Sequence, residues 1–245
     1  MIHYKNLTLI GTSHIAKQSV KEIEVAIKEI KPKFVCLELD KQRFMALSEG
    51  KPSKVELGNI KLIGVKGYVF AVLGQFIQKK LGKIVGMVPG SDMMHAANVA
   101  RSLNIKIALI DQNITITLRK FSENLTWKEK WQFVKDIFRG FFFRKKVIKE
   151  MGLENFDLSK VPDKETIKKL IRQVKRNYPN IYRVLIEERN IIMANNLFGL
   201  MNHFPEDKFV AVVGAGHEDD IHKIIRHLFI KLNQIQKEKE KPDKN

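Results

Sequence analysis

Four short apolar runs rich in β-branched residues, at 7–10, 34–39, 106–110 and 209–213, are separated by segments much longer than hairpin turns. Strands joined through long helical crossovers run parallel, and a parallel sheet needs helices on both faces. The intervening pattern supplies helices. Val20, Ile23, Ile27 and Ile30 recur at helical spacing until Lys31-Pro32 stops them. Residues 43–50 read as a short helix, and residues 219–235 as the last one. Pro89-Gly90-Ser91 is a turn, with Ser91 or Asp92 as N-cap of a helix that carries Met94, Ala97, Val99 and Leu103. Residues 60–65 fit either a strand or the lead-in to a helix running through Lys80. Residues 115–203 read as helices only, broken at 159–163, with Pro179 in the first turn of a further helix. The fold class expected is α/β, a mostly parallel or mixed β-sheet flanked by helices. The helical insertion at 115–203 is placed as a cap over one end of the sheet. A single domain is expected over 1–235, followed by a disordered polar tail at 236–245.

Composition narrows the setting. At 245 residues, with 44% hydrophobic and 29% charged side chains, the chain can bury one sizeable core. Its 44 Lys+Arg against 27 Asp+Glu give a formal net charge of +17, which favours anionic partners. No zinc-finger, RNP or helix-turn-helix signature accompanies that charge, so nucleic acid is not the expected partner. Cys36 is the sole cysteine, which leaves no disulfide framework and suits a reducing cytoplasm. Inside the run FVCLEL it reads as a buried, inert thiol. The N-terminus lacks the basic and apolar regions of a signal peptide. The longest apolar stretch, GYVFAVLGQFI, is about half of the ~20 residues a spanning helix needs. The basic aromatic segment 127–149 reads either as a helical hairpin packed on its own domain or as a contact with an anionic membrane surface.

Chemistry in such sheets gathers beyond the carboxyl ends of the strands, where loops and helix N-termini converge. Two of those ends echo each other: LIGTSH, with Gly11, Ser13 and His14, and VVGAGH, with Gly214, Gly216 and His217. Glycine lets the backbone leave a strand in conformations closed to other residues, so two such turns can aim both imidazoles at one point. Glu38 and Asp111 follow the second and third runs. By the period of two, Glu38 shares a face with Phe34 and Cys36, so it either faces solvent or is buried beside something positive. Two imidazoles and a carboxylate make a competent set for a divalent metal in hydrolysis. Glu188 lies on the apolar face of a helix with Ile181, Val184, Leu185, Ile191 and Ile192. It needs a metal, a raised pKa, or an arginine such as Arg189 or Arg119.

Taken in order, GTSHIAKQS, LELDKQR, VPGSDMMHAA, LIDQNITITLRK, PNIYRVLIEERNIIMA and VVGAGHEDDI resemble the TraB/PrgY/GumN family, relatives of the Tiki proteases and the erythromycin-esterase and ChaN-like group. The resemblance implies a metal-dependent hydrolase of peptidase-like chemistry. Its divalent ion (manganese, cobalt, zinc or iron) would sit on His14, His217 and Glu38. It further implies that Arg43, Arg119 and Arg189 hold a substrate carboxylate or an oxyanion, and that Glu188 or Asp92 is the general base. Three positions depart from the family pattern. Asp92 replaces a glutamate, and Asn113 and Asn190 replace acids. Those losses motivate the alternative, a non-catalytic protein that binds and sequesters peptides, of the pheromone-shutdown type. Partners implied are a peptide or small-molecule substrate, a second copy of the chain in a homodimer, and the anionic membrane surface already named.

Overall fold

The computed structural model describes residues 1–12, 17–50, 90–124, 126, 128–129, 131–132, 135–136 and 164–239. The expected element at 60–80, the break at 159–163 and most of the basic aromatic segment at 127–149 lie outside them. So do Ser13 and His14.

Five strands form one mixed sheet: β1 (Ile2–Tyr4), β2 (Leu7–Thr12), β3 (Phe34–Leu37), β4 (Lys106–Leu109) and β5 (Phe209–Gly214), in the order β1-β2-β5-β3-β4. Only the edge pair β1–β2 is antiparallel. β1 is too short for any periodicity to announce it. The hairpin is tied down by Asn6, whose Nδ2 donates to the carbonyls of Phe204, Pro205 and Asp207 at 2.9–3.2 Å. That latch holds the turn leading into β5 against the edge of the sheet.

Because side chains alternate along a strand, each strand feeds two cores. Phe34, Cys36, Phe209 and Ala211 face a layer made by α7 (Glu188–His203) and α8 (Glu218–Lys239), through Met193, Leu197, Ile221 and Ile225. Val35, Leu37, Val210 and Val212 face α1 (Lys17–Ile30) and α3 (Ser91–Ser102), through Ile23, Ile27, Met93 and Ala96. The helix after β2 therefore lies on one face and the helix after β5, its neighbour, on the other. Adjacent parallel strands whose crossovers diverge leave a crevice at their carboxyl ends. Here that crevice falls between Thr12 and Gly214, which are paired in register.

Several elements differ from their sequence expectations. α2 spans Lys41–Ser48, and Asp40 caps it: its Oδ1 accepts the N–H groups of Gln42 (2.8 Å) and Arg43 (3.2 Å). Neither Ser91 nor Asp92 caps α3. Gly90 occupies that place with φ 85°, and Ser91 already belongs to the helix. α7 falls in the stretch expected to form the inserted cap, but its row of Met193, Ala194, Leu197 and Met201 is buried against the sheet. α8 runs on to Lys239, since glutamine, lysine and glutamate all sustain a helix. No described helix is long and apolar enough to cross a membrane. The remaining described helices are α4 (Ile114–Asn124), α5 (Lys164–Asn177) and α6 (Pro179–Tyr182).

Cys36 pairs with Ala108 and Ala211 across the middle of the sheet and is fully buried. Burial pushes its thiol up to about 12, far from the thiolate that reacts. A thiol reagent applied at mildly alkaline pH should leave the native protein unlabelled and label it stoichiometrically in denaturant. Rapid labelling of the native chain would show that β3 is not an interior strand.

Candidate functional site

Glu38 extends β3 by one more rung, its N–H donating to the Val212 carbonyl at 3.1 Å. Alternation then points its side chain to the face of Phe34 and Cys36, under α7, where it is 4% exposed. A carboxylate buried this deeply must be paired and hydrogen-bonded on both oxygens. Oε2 accepts the Gly214 N–H at 2.6 Å, and Oε1 accepts from the guanidinium of Arg189. Of the two environments the sequence allowed Glu38, burial beside a positive group is the one found.

Arg189 reaches this place because of a break in helical phase. Residues Arg183–Glu187 form a π-helical turn, in which the Glu188 N–H reaches back to the Arg183 carbonyl, five residues earlier. One residue too many in a turn rotates the rest of the helix by roughly 100°. The apolar face continues as Asn190, Met193, Leu197 and Met201 instead of Ile191, which is 46% exposed. Arg189 takes the inward position and Glu188 moves outward. The Arg189 Nη1 donates to the Leu185 carbonyl at 3.1 Å, within the same disturbed turn.

The rest of the guanidinium faces Asp111, whose side chain is 1% exposed just past β4. Nε meets Oδ1 at 3.0 Å and Nη2 meets Oδ2 at 2.7 Å, a bidentate pair. Asp111 also accepts Arg43 Nη1 at 3.1 Å and the Gln112 N–H at 2.7 Å. Burial alone would lower the Arg189 pKa, but the charges of Glu38 and Asp111 outweigh it and hold the group above its usual value. Every nitrogen of Arg189 is thus occupied by the protein. It positions Glu38, and these bonds use four of its five N–H groups.

His217 completes the group. The turn after β5 brings it back over the strand, with its N–H on the Gly214 carbonyl at 2.8 Å, and buries it to 6% exposure. Its Nδ1 lies 2.5 Å from Asn190 Oδ1, so Nδ1–H donates to the amide oxygen. The ring's Nε2 lies 3.5 Å from Glu38 Oε1. Asn190, where the resemblance leads one to expect an acid, orients the imidazole here. Asn113 also acts locally, its Oδ1 accepting the Thr115 N–H at 2.8 Å at the start of α4.

On the other flank of the crevice, Asp92 is 1% exposed and its Oδ2 accepts Thr12 Oγ1 at 2.5 Å. It lies in the first turn of α3, where the helix dipole favours a negative charge. Glu218, 2% exposed, accepts the Gly11 N–H at 3.3 Å. The glycines matter for space, since neither Gly11, Gly214 nor Gly216 has a positive φ. A Cβ on Gly11 would stand 3.0 Å from Glu218 Cδ and 3.1 Å from the Ala215 Cα. One on Gly216 would stand 3.1 Å from Ile171 Cδ1.

Two candidates fall elsewhere. Glu188 is not partnered by Arg189 or Arg119: Lys120 Nζ holds its Oε2 at 2.7 Å, and Arg183 Nε lies 3.7 Å from Oε1. Arg119 is 57% exposed and sits 3.9 Å from Glu123. His14 and Ser13 lie outside the described residues. Among the described residues no set of three or more His, Cys, Asp or Glu side chains is arranged to hold a metal. The donor chemistry of the pair that is present does fit one. A ligating imidazole typically has its second nitrogen fixed by a hydrogen bond, which Asn190 supplies here, with a carboxylate oxygen beside the other nitrogen. Sequence reasoning missed Asn190, Thr12 and Glu218 as members of this site. Asn190 had a usable signal, its spacing of three, seven and eleven from Met193, Leu197 and Met201.

The profile of the TraB/PrgY/gumN family matches residues 2–229. An uncharacterized protein of Methanocaldococcus jannaschii is 34% identical over 225 residues, covering 91% of this chain and 54% of its own length. TraB domain-containing proteins of Mus musculus and Homo sapiens are each 21% identical over 239 residues, covering 88% of this chain and 61% of theirs. The chain thus spans little more than half the length of these relatives.

Replacing Arg189 with methionine would leave two buried carboxylates without their shared cation. A loss of about 3–5 kcal/mol is expected, read as a lower urea midpoint. Glu188→Gln touches only a half-buried pair, and should cost under about 1 kcal/mol. Equal losses from the two substitutions would show that Arg189 is not the charge the site depends on.

Proposed function

Since the chain belongs to the TraB/PrgY/gumN family, we propose that it is a metal-dependent hydrolase of peptidase-like chemistry, working at the crevice between β2 and β5. One observation carries the reading. His217 Nε2, its tautomer set by Asn190, stands 3.5 Å from a Glu38 carboxylate that Arg189 and the Gly214 N–H hold in place. His217 and Glu38, with His14, would hold the divalent ion, which supplies a polarised carbonyl and an activated water.

The protein's own groups divide the remaining work. Asp92, tied through Thr12 to the same sheet edge, is better placed as general base than Glu188, which Lys120 holds. Arg43 is the arginine suited to meet a substrate. Its side chain is 30% exposed and gives only Nη1 to Asp111, whereas Arg189 spends four of its five N–H groups on the protein and Arg119 pairs on the surface. Asp40 and Asp111 fix the two ends of Arg43, its backbone and its guanidinium. An oxyanion formed at the crevice would meet a preorganised donor there.

Protein purified without added metal should contain a divalent ion by elemental analysis, and His14→Ala/His217→Ala should lose it. Asn190→Leu should keep the fold and weaken metal affinity by roughly 10- to 100-fold, because the imidazole loses its orienting acceptor. A peptide library should be cut, with cutting abolished by chelator and by Asp92→Asn. Saturable peptide binding without cleavage, in metal-loaded protein, would favour the sequestering reading. Equal, negligible metal in wild type and the double variant, with no uptake on titration, would remove the metal from either.

A further inference from the structure

The turn that carries His217 also forms one wall of a hollow of about 250 Å³, and α5 stands across from it. Ile167 and Ile171 of α5, with Tyr182 of α6, give the hollow an apolar lining. Ala215 and Gly216 give it a wall of main chain. Glycine serves there for room, because a Cβ on Gly216 would stand 3.1 Å from Ile171 Cδ1. That wall therefore stays bare backbone. Ala215 gives its N–H to the Thr12 carbonyl at 2.7 Å, but the Gly216 N–H and the carbonyls of Ala215 and Gly216 make no hydrogen bond to a described residue.

Most charges around the hollow are already matched. Lys168 meets Asp219 at 3.3 Å and so ties α5 to the first turn of α8, while Lys223 meets Asp220 at 3.0 Å. The Lys175 ammonium lies 4.9 Å from the centroid of the Tyr182 ring. Arg172, the other cation of the lining, is exposed to water. Selection in the hollow falls to its apolar side chains. Unused peptide groups on one wall and apolar side chains on the other meet the two needs of extended-peptide recognition, main-chain hydrogen bonds for affinity and a pocket for specificity. Sites for whole small ligands run to about 300–1,000 Å³, so this volume suits a single large side chain.

We propose that the hollow is the specificity subsite of the crevice. It takes one large apolar side chain of the peptide, leucine- or phenylalanine-like, while the peptide main chain pairs with Ala215 and Gly216. The assignment rests on the hydrolase reading, in which His217 is a metal ligand. Its Cα follows that of Gly216 by about 3.8 Å, so the bound side chain sits within a residue or two of the bond to be cut.

Cut sites in a peptide library, mapped by mass spectrometry with the metal-loaded full chain, test it. Beside them stands anisotropy titration, in chelator, of two labelled peptides, one leucine-rich and one with asparagine at every leucine. Wild type should cut at one fixed distance from a large apolar residue and bind the leucine-rich peptide at least about tenfold more tightly. Ile171→Trp, which fills the hollow, should abolish both preferences while still cutting peptides of small residues. Ile167→Trp should do the same where the first variant misfolds. Ile191→Trp, at an exposed position on α7, should change neither. Apolar preferences that survive both fillings, or wild-type cutting or binding indifferent to apolar side chains, would overturn the subsite. Wild type that cuts nothing removes the hydrolase reading and leaves the hollow to the binding arm. A leucine preference there that Ile171→Trp abolishes still supports it, and its absence overturns it.

Discussion

The guanidinium of Arg189 is what allows two carboxylates to stay buried at one end of the sheet. Glu38 and Asp111 come from different strand ends, and each side chain is almost wholly removed from water. Left alone, they would be forced to neutralise or to open the structure, since an unpaired buried charge costs several kcal/mol. Arg189 joins them with a planar fork, and Arg43 adds a second cation on the outer side of Asp111. A lysine carries the same charge but not the geometry to hold both partners. The orientation of Glu38, and so its relation to His217, comes from this clamp.

The clamp in turn depends on a fault in a helix. A continuous α-helix through residues 181–203 would aim Glu188 inward, adding a third acid to the two already present. The π-helical turn reverses that arrangement by exchanging an acid for a base at the inward position. It also brings Asn190 against the His217 ring. An aspartate at this point would add another negative charge beside Glu38, so the amide suits the local electrostatics while still accepting the Nδ1 proton. π turns sit often at functional sites, and here the turn accounts for several side-chain directions together.

Much of the scaffold is legible from the chain alone. Apolar runs with helical spacers mark four of the five strands and both covering layers, because burial on two faces leaves a continuous apolar signature. The edge strand β1 is not legible, since three half-buried residues carry no period and its pairing is held by Asn6 reaching far along the chain. Glu38, Asp111 and His217 stand out as polar residues at strand ends, and they do gather. Glu188 is misplaced by pattern alone because helical periodicity presumes 3.6 residues per turn throughout. Glycine in these turns suggests a conformational device, yet at Gly11 the reason is a neighbour's carboxylate and backbone lying too close for a Cβ.

By itself, the sequence determined the α/β class, the parallel core and the set of residues delivered to one sheet edge. Those arise from short-range pattern: alternation in strands, helical spacing between them, and polar residues where each strand ends. Tertiary structure alone decided which acid meets which base. β5, late in the chain, inserts between β2 and β3 and carries His217 to Glu38. The π turn, invisible to periodicity, decides that Arg189 and Asn190 face the sheet edge while Glu188 pairs with Lys120. Charge pairing acts over a few ångströms, and strand insertion and helical phase are what set those distances.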